Sequence, residues 1–241
     1  MPLPVHRPFT VISNTSLCNG CFSLLLAPSD GEPLFNFLAG QWVMTHLLNE
    51  DGTPWGKAAF SIANAPSEAD GKIELAIKIY GDFTKKASQL KVGETVKLQG
   101  PYGVFTLRPG TEPLILFAAG IGIAPLRSML REIIATHDPR PVTLFYTNRE
   151  RNAIAYESEF REFATAHPSF RAVFTLTGAH PSDWQDEVGR LNEAMLAKNI
   201  MDFAHAEYAM CGTREFMDTI KAMLEAKGVD VKTKVRKELF S

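Results

Sequence analysis

The chain has 241 residues, 45% of them hydrophobic and 22% charged, with a formal net charge of -2. That balance offers no whole-chain attraction for nucleic acid, and no stretch holds the ~20 apolar residues a bilayer span needs. Three cysteines, an odd number, make no disulfide framework, and the start Met1-Pro2-Leu3-Pro4-Val5-His6-Arg7 has no hydrophobic signal core, so the chain reads as cytoplasmic.

Residues 22–26, 41–47, 60–63, 73–79 and 95–98 are short β-prone runs. Ser29-Asp30-Gly31, Asn49-Glu50-Asp51-Gly52, Ala69-Asp70-Gly71 and Val92-Gly93 punctuate them, a spacing that suggests a barrel or sandwich. One helix fits 84–90, with Thr84 as its N-cap. Arg108-Pro109-Gly110-Thr111-Glu112-Pro113 reads as a linker. Beyond it, strands fit 114–119, 142–147, 170–176 and 206–211, and helices fit 124–136, 153–166, 186–197 and 214–227. Gly228 suits a helix C-terminus. Such alternation argues for a parallel sheet with helices on both faces. The expected class is β + α/β, with a barrel domain over 1–108 and an α/β domain over 109–241.

The most informative run is 113–125. Leu114 to Ala119 is apolar throughout, as a strand covered on both faces requires. Gly120 and Gly122 suit a sharp turn with close approach of a ligand. Pro125 suits the first turn of a helix, and Leu126, Met129, Leu130, Ile133 and Ile134 follow at helical spacing. Free N–H groups of Ile121, Gly122, Ile123 and Ala124 would face an anion such as a pyrophosphate. The bland alternative is a tight strand-to-helix turn, since Gly-x-Gly-x-x-Pro is not the dinucleotide fingerprint.

Further signals stand in order: Gly40-Gln41-Trp42, Phe60-Ser61-Ile62-Ala63, Gly81-Asp82-Phe83-Thr84 and Gly100-Pro101-Tyr102-Gly103-Val104-Phe105. After the Gly120 turn come Tyr146-Thr147-Asn148-Arg149, Cys211-Gly212-Thr213 and Glu238-Leu239-Phe240. Together they closely resemble the ferredoxin–NADP reductase superfamily, and the resemblance covers nearly the whole chain. It implies an antiparallel Greek-key flavin-binding β-barrel followed by a Rossmann-like NAD(P)-binding domain with a parallel sheet. It implies FAD, with FMN an alternative, and NAD(P)H as reductant.

The resemblance also implies roles. Phe60 would stack on the isoalloxazine, with Ser61 near its N5 and Ile62 beside it; on the residues alone, this is an ordinary strand with a buried Phe. The family's pyrophosphate-pairing arginine is replaced by Ala58, leaving Lys57, Lys78, Lys85 and Lys86 as candidate cations. A lysine is a point charge rather than a bidentate fork. Gly81, Asp82, Phe83 and Thr84 would form the flavin phosphate turn, or a plain capped helix. The Gly100 to Phe105 run would close the barrel with a turn. Gly120 to Pro125 would hold the nucleotide pyrophosphate. Asn148 and Arg149 would meet the adenosine ribose. Arg149 and Arg151 favour a 2′-phosphate, whereas Glu150 and the missing basic residue after Thr177 do not. Cys211, Gly212 and Thr213 would lie beside the nicotinamide, Glu238 would position it or supply protons, and Phe240 would cover the flavin face. Electrons would pass from nicotinamide to flavin, then to an external ferredoxin, flavodoxin, oxygenase component or ferric iron. The alternative is an electron-transfer subunit that works only inside a larger redox complex.

Cys18-Asn19-Gly20-Cys21 looks like half a metal site, but a second cysteine pair is lacking, and a tight turn between strands is the better account. A redox dithiol ordinarily opens a helix, and no helical pattern follows. The six histidines show no ligand spacing, so no metal is expected. Lys232, Lys234, Arg236 and Lys237 read as a solvated face, or as a surface that steers an acidic partner.

Overall fold

The computed structural model describes residues 6–239, and the chain packs as two compact units. One runs through Leu107 and takes in Arg127–Thr136; the other holds Arg108–Leu126 and continues from His137.

The first unit is an antiparallel six-stranded sheet in the order β4-β3-β6-β1-β2-β5. Its strands are β1 (Arg7–Cys18), β2 (Cys21–Pro28), β3 (Trp42–Leu48), β4 (Pro54–Ser61), β5 (Ile73–Lys78) and β6 (Thr95–Tyr102), with helix α1 (Gly81–Ala87) between the last two. The chain just past β4 bridges back to β5 at Ile62 and Leu75, which joins the two edges and closes a barrel. Closure leaves no open edge to solvate. Phe9, Val11, Leu24, Leu26, Val43, Ile62, Ile73 and Leu75 are fully buried inside.

Several local expectations change here. β1 is a 12-residue strand not expected from the sequence, because its polar residues Ser13, Asn14, Thr15 and Ser16 hide its pairing with both β2 and β6. Helix α1 begins at Gly81, three residues before the expected start, and Tyr80 occupies the N-cap. Thr84 is inside the helix; its hydroxyl donates to the Tyr80 carbonyl at 2.7 Å and accepts from the Tyr80 N–H. The segment Gly100-Pro101-Tyr102 still belongs to β6, pairing Tyr102 with Trp42, and the turn comes at Gly103. A Cβ on Gly103 would meet the Trp42 ring at 2.9 Å.

The first unit also contains a buried polar knot. Arg127 donates to the Ala63 carbonyl at 2.9 Å and pairs with Glu74 at 2.8 Å. Glu74 also accepts from Ser23 at 2.7 Å, and the Ser128 hydroxyl donates to the Asn64 carbonyl at 2.7 Å. Each charged atom has partners, which a charge held away from water requires.

The second unit is a parallel six-stranded sheet in the order β10-β9-β8-β7-β11-β12. Strands β7 (Leu114–Ala119), β8 (Val142–Asn148), β9 (Phe170–Leu176) and β11 (Glu207–Gly212) lie close to the expected positions. Helices α2 (Ile123–Ala135), α3 (Glu157–Ala166) and α5 (Arg214–Ala226) do so as well, α3 starting after a short 3-10 turn at Arg151–Ala153. The last turns of α2 pack in the first unit. The helix expected at 186–197 is two elements, strand β10 (Glu187–Val188) and helix α4 (Glu193–Asn199), because Gly189 at φ 93 breaks the run. Asn192 then caps α4 by accepting from the Met195 N–H.

The chain after Gly228 is also ordered. It forms α6 (Val231–Lys234) and β12 (Val235–Leu239), a sixth strand beside β11. The basic run is therefore only partly solvated. Lys234 pairs with Glu112 at 3.3 Å and donates to the Ala204 carbonyl; Arg236, 9% exposed, pairs with Glu207 at 3.2 Å. Burial lowers the Arg236 pKa, with Glu207 opposing the shift.

Candidate functional site

In the barrel unit, the expected phosphate turn follows β5. Gly81 has φ 73, a backbone region that favours glycine, and no atom lies within 4 Å of where its Cβ would stand. Gly81 and Asp82 are exposed, and Phe83 is half-buried. Among the described residues, no carboxylate pairs with Lys78, Lys85 or Lys86, and the Lys86 ammonium lies over the Trp55 ring at 4.9 Å. An open glycine turn followed in the chain by Lys85 and Lys86 fits a diphosphate, although the fork of an arginine is absent. Tyr80, 84% exposed, and Trp55, 39% exposed, stand at the same turn. Neither is expected from the sequence, because an aromatic at a strand end reads first as core.

The Phe60 expectation changes. Phe60 is buried in the barrel core, with its ring centroid 5.9 Å from that of Phe83, so its face is not offered to a flavin. Ile62 is fully buried, and its N–H is spent on the Gln41 carbonyl. Inward alternation along β4 explains both. Ser61 is buried beside them.

In the sheet unit, the ligand turn is built by close packing. A 3-10 turn (Gly120–Gly122) precedes α2, and the Ile123 N–H is consumed by the Gly120 and Ile121 carbonyls, so it is not available to an anion. Ile121, Ile123, Ala124 and Pro125 bury their side chains, leaving backbone alone to meet a ligand. Gly120, at φ 53, faces open space. Gly122 does not: a Cβ there would sit 2.4 Å from the Cys211 carbonyl oxygen. That second glycine admits the neighbouring strand rather than a ligand. Gly212 acts likewise, since its Cβ would meet Phe216 at 2.8 Å and Ala119 at 3.0 Å.

The carboxyl ends of β7, β8 and β9, with the start of α5, enclose a cavity of about 200 Å³ lined by Ala119, Thr147, Thr177, Thr213, Phe216 and Thr219. The Thr147 Oγ1 and the Asn148 Nδ2 at the end of β8 are buried with no hydrogen-bond partner. Polar atoms left so are costly unless a ligand or water satisfies them. Adjacent hydroxyls and amide groups at this edge fit a ribose and phosphate. Neither Thr147 nor Thr177 was an expected site residue, because sequence does not show that the Thr147 hydroxyl lacks a partner while that of Thr177 donates to the Asn148 carbonyl at 3.4 Å. A larger cavity of about 710 Å³ lies at the opposite edge, against Ile115, Val142 and Phe170.

Arg149 is exposed, and Gly178 packs on it so closely that a Cβ would touch its backbone at 2.8 Å and its side chain at 3.0 Å. Arg151 is committed elsewhere: it pairs with Glu157 at 3.4 Å and Asp183 at 3.3 Å, with its guanidinium over Trp184. A 2′-phosphate would have to compete with these partners for Arg151.

Cys211 is fully buried and sits directly opposite Glu238 in the parallel register. Burial, then the Glu238 carboxylate, pushes the thiol well up, so it stays protonated and is no nucleophile. Thr213 is the N-cap of α5, its hydroxyl accepting from the Phe216 N–H at 3.3 Å. Phe240 lies outside the described residues. Among the described residues no metal-ligand cluster exists, and no helix is long and apolar enough to cross a membrane.

Residues 8–107 match the oxidoreductase FAD-binding domain and residues 116–222 the oxidoreductase NAD-binding domain. The chain is 34% identical over 187 residues to the phenol 2-monooxygenase reductase component DmpP of Pseudomonas sp. (strain CF600), an alignment that covers 76% of this chain and 52% of that protein. It is 26% identical over 250 residues to a flavohemoprotein of Rhodopirellula baltica, covering 97% and 60%. The chain thus spans little more than half the length of these relatives. Among solved structures, the FAD/NAD-binding domain of nitric oxide dioxygenase from Vibrio cholerae shares the fold, with a TM-score of 0.87 at 22% identity over 98% of each chain. With an FAD-binding domain followed by an NAD-binding domain, the chain belongs to the ferredoxin reductase-like family of oxidoreductases.

Proposed function

We propose that this protein is an NAD(P)H-dependent flavin reductase that passes electrons from the nucleotide, by way of FAD, to an acceptor outside these two domains. The relatives that support the reading include reductase components of phenol, terephthalate and propane oxygenases. An oxygenase component or iron–sulfur protein is the acceptor class that follows. When bound, FAD supplies the two-electron to one-electron conversion that such acceptors need.

The chain's own residues bind, orient and exclude water. Lys78, Lys85 and Lys86 around Gly81 would neutralise the FAD diphosphate, and Ser61 would offer a hydroxyl to the flavin. Gly120 would leave room for the nucleotide pyrophosphate, and Thr147, Asn148 and Thr177 would satisfy its ribose and phosphate. Cys211, kept neutral, would shape the nicotinamide pocket, with Glu238 beside it to hold the ring or a proton. Arg149, exposed and free of Gly178's missing side chain, would read a 2′-phosphate and favour NADPH.

The observation that carries this reading is the unsatisfied buried Thr147 Oγ1, which lines the pocket at the carboxyl edge of a parallel sheet. The test is anaerobic mixing of the FAD-loaded protein with NADH and, separately, NADPH while flavin absorbance is followed. Bleaching by either nucleotide, faster with NADPH, is expected. No bleaching by either would overturn the proposal.

A further inference from the structure

The hairpin that joins β1 to β2 carries chemistry that electron transfer does not use. Cys18 ends β1 and Cys21 begins β2, and they are direct cross-strand partners across the two-residue Asn19-Gly20 turn. Gly20, at φ 74, is the one left-handed residue of that turn. Residues directly opposite in an antiparallel pair point to one face with Cβ atoms about 4.5–5.5 Å apart. A disulfide asks for about 3.5–4.5 Å, so only a small closure separates the two states. Both thiols are free; Cys21 is buried and Cys18 half-buried, its thiol donating to the Asn19 carbonyl at 3.9 Å.

The next strand adds a cation. Lys78 at the end of β5 is directly opposite Cys21, so Cys18, Cys21 and Lys78 form one row across three strands. The neighbouring Cys18 thiol, first, and the charge of Lys78 lower the Cys21 pKa against the opposing effect of burial, while that of Cys18 is raised. A cysteine of lowered pKa in register with a lysine, with a second thiol directly opposite, is the arrangement of a reactive dithiol. A helix is the usual way to activate such a pair; here the hairpin and Lys78 take its place.

We propose that Cys18 and Cys21 form an oxidisable dithiol that closes to an intrachain disulfide on exposure to hydrogen peroxide. The Cys21 thiolate attacks one peroxide oxygen, the O–O bond breaks, and the released hydroxide takes a proton to become water. The Cys18 sulfur then attacks the Cys21 sulfenic acid, the S–S bond forms, and the S–O bond breaks. The leaving hydroxide takes the Cys18 proton as a second water. In total two thiols and one peroxide give one disulfide and two waters; a dithiol reductant reverses it. The switch sits next to the expected cofactor turn, because the Gly20 carbonyl accepts from the Ile79 N–H at 2.8 Å, two residues before Gly81.

The test uses the full chain with FAD bound. The protein is treated with a small excess of hydrogen peroxide, denatured in N-ethylmaleimide and weighed by mass spectrometry. The reduced protein carries three adducts, one for each cysteine. The oxidised protein is expected to carry one, on Cys211, with the peptide holding Cys18 and Cys21 two hydrogens lighter, and dithiothreitol should restore all three. Persistence of three adducts, or loss of thiols only to sulfinic acids or intermolecular disulfides, would overturn the proposal. In Cys18→Ser, the sulfenic acid trapped by dimedone should be on Cys21; in Cys21→Ser, labelling of Cys18 should be slower. Faster labelling of Cys18 would overturn the assignment of Cys21 as the attacking thiol.

Discussion

Gly122→Ala tests how the nucleotide turn is built. A Cβ at this position would stand 2.4 Å from the Cys211 carbonyl oxygen, 2.8 Å from its carbon and 3.1 Å from the Gly212 nitrogen. All three are backbone atoms of β11, so no change of rotamer relieves the overlap. Reaching ordinary contact requires a shift of about 1 Å in a region packed at crystal-like density. Overpacking of this kind costs roughly 1–3 kcal/mol. For a chain of this length that is a fall in Tm of about 2–12 °C. Because β11 ends in Cys211, Gly212 and Thr213, the same shift should raise KM for the nicotinamide nucleotide. Gly120→Ala is the companion variant. Its Cβ meets nothing within 4 Å, so it carries only the left-handed backbone cost of about 1–2 kcal/mol. Thermal unfolding by circular dichroism and steady-state dye reduction measure the two effects. A Gly122→Ala protein that melts within about 1 °C of its parent, with KM unchanged, would refute the packing argument.

Three further outcomes are expected. Arg127→Met removes one partner of a buried ion pair and strands Glu74, so urea unfolding should show a loss of about 3–5 kcal/mol. Adding Glu74→Gln should recover part of it; additive losses would show that the pair is not coupled. The Cys211 thiol holds its proton in the folded state at pH values where an unfolded thiol, with a pKa of about 8.5, has lost it. Stability should therefore fall as pH rises above about 8.5, because the unfolded chain then binds fewer protons. Cys211→Ala should flatten that part of the profile, and an unchanged slope would contradict the assigned burial effect. Arg149→Ala should weaken NADPH binding by about tenfold or more, the scale of a charge-assisted contact, with little change for NADH; equal losses for both would remove Arg149 as the 2′-phosphate reader.

Much of the architecture is legible in local sequence. The apolar run at 114–119, the glycines at 120 and 122 and the helical spacing after Pro125 place a strand, turn and helix with little help from the rest of the chain. Gly228 marks a helix end for similarly local reasons. The order of the glycine, aromatic and cysteine motifs is enough to suggest both cofactors. Local propensities are worth under about 1 kcal/mol per residue, however, and pairing to a distant partner overrides them. That is why polar β1 is a strand and why 186–197 divides into β10 and α4. It is also why the terminal segment becomes β12 and sets Glu238 opposite Cys211.

The side chains of the site follow the same division. Sequence shows that Phe60 is an aromatic in a strand; only closure of the barrel turns it inward against Phe83. Sequence shows two glycines in a turn; only the approach of β11 gives Gly120 open space and Gly122 a carbonyl neighbour. Arg149 and Arg151 look alike in one dimension, and contacts with Glu157 and Asp183 separate them. Chain order records what each residue is and what its nearest neighbours allow. Burial, unsatisfied hydroxyls and shifted protons arise only when distant segments meet and exclude water, so those were decided by the tertiary structure.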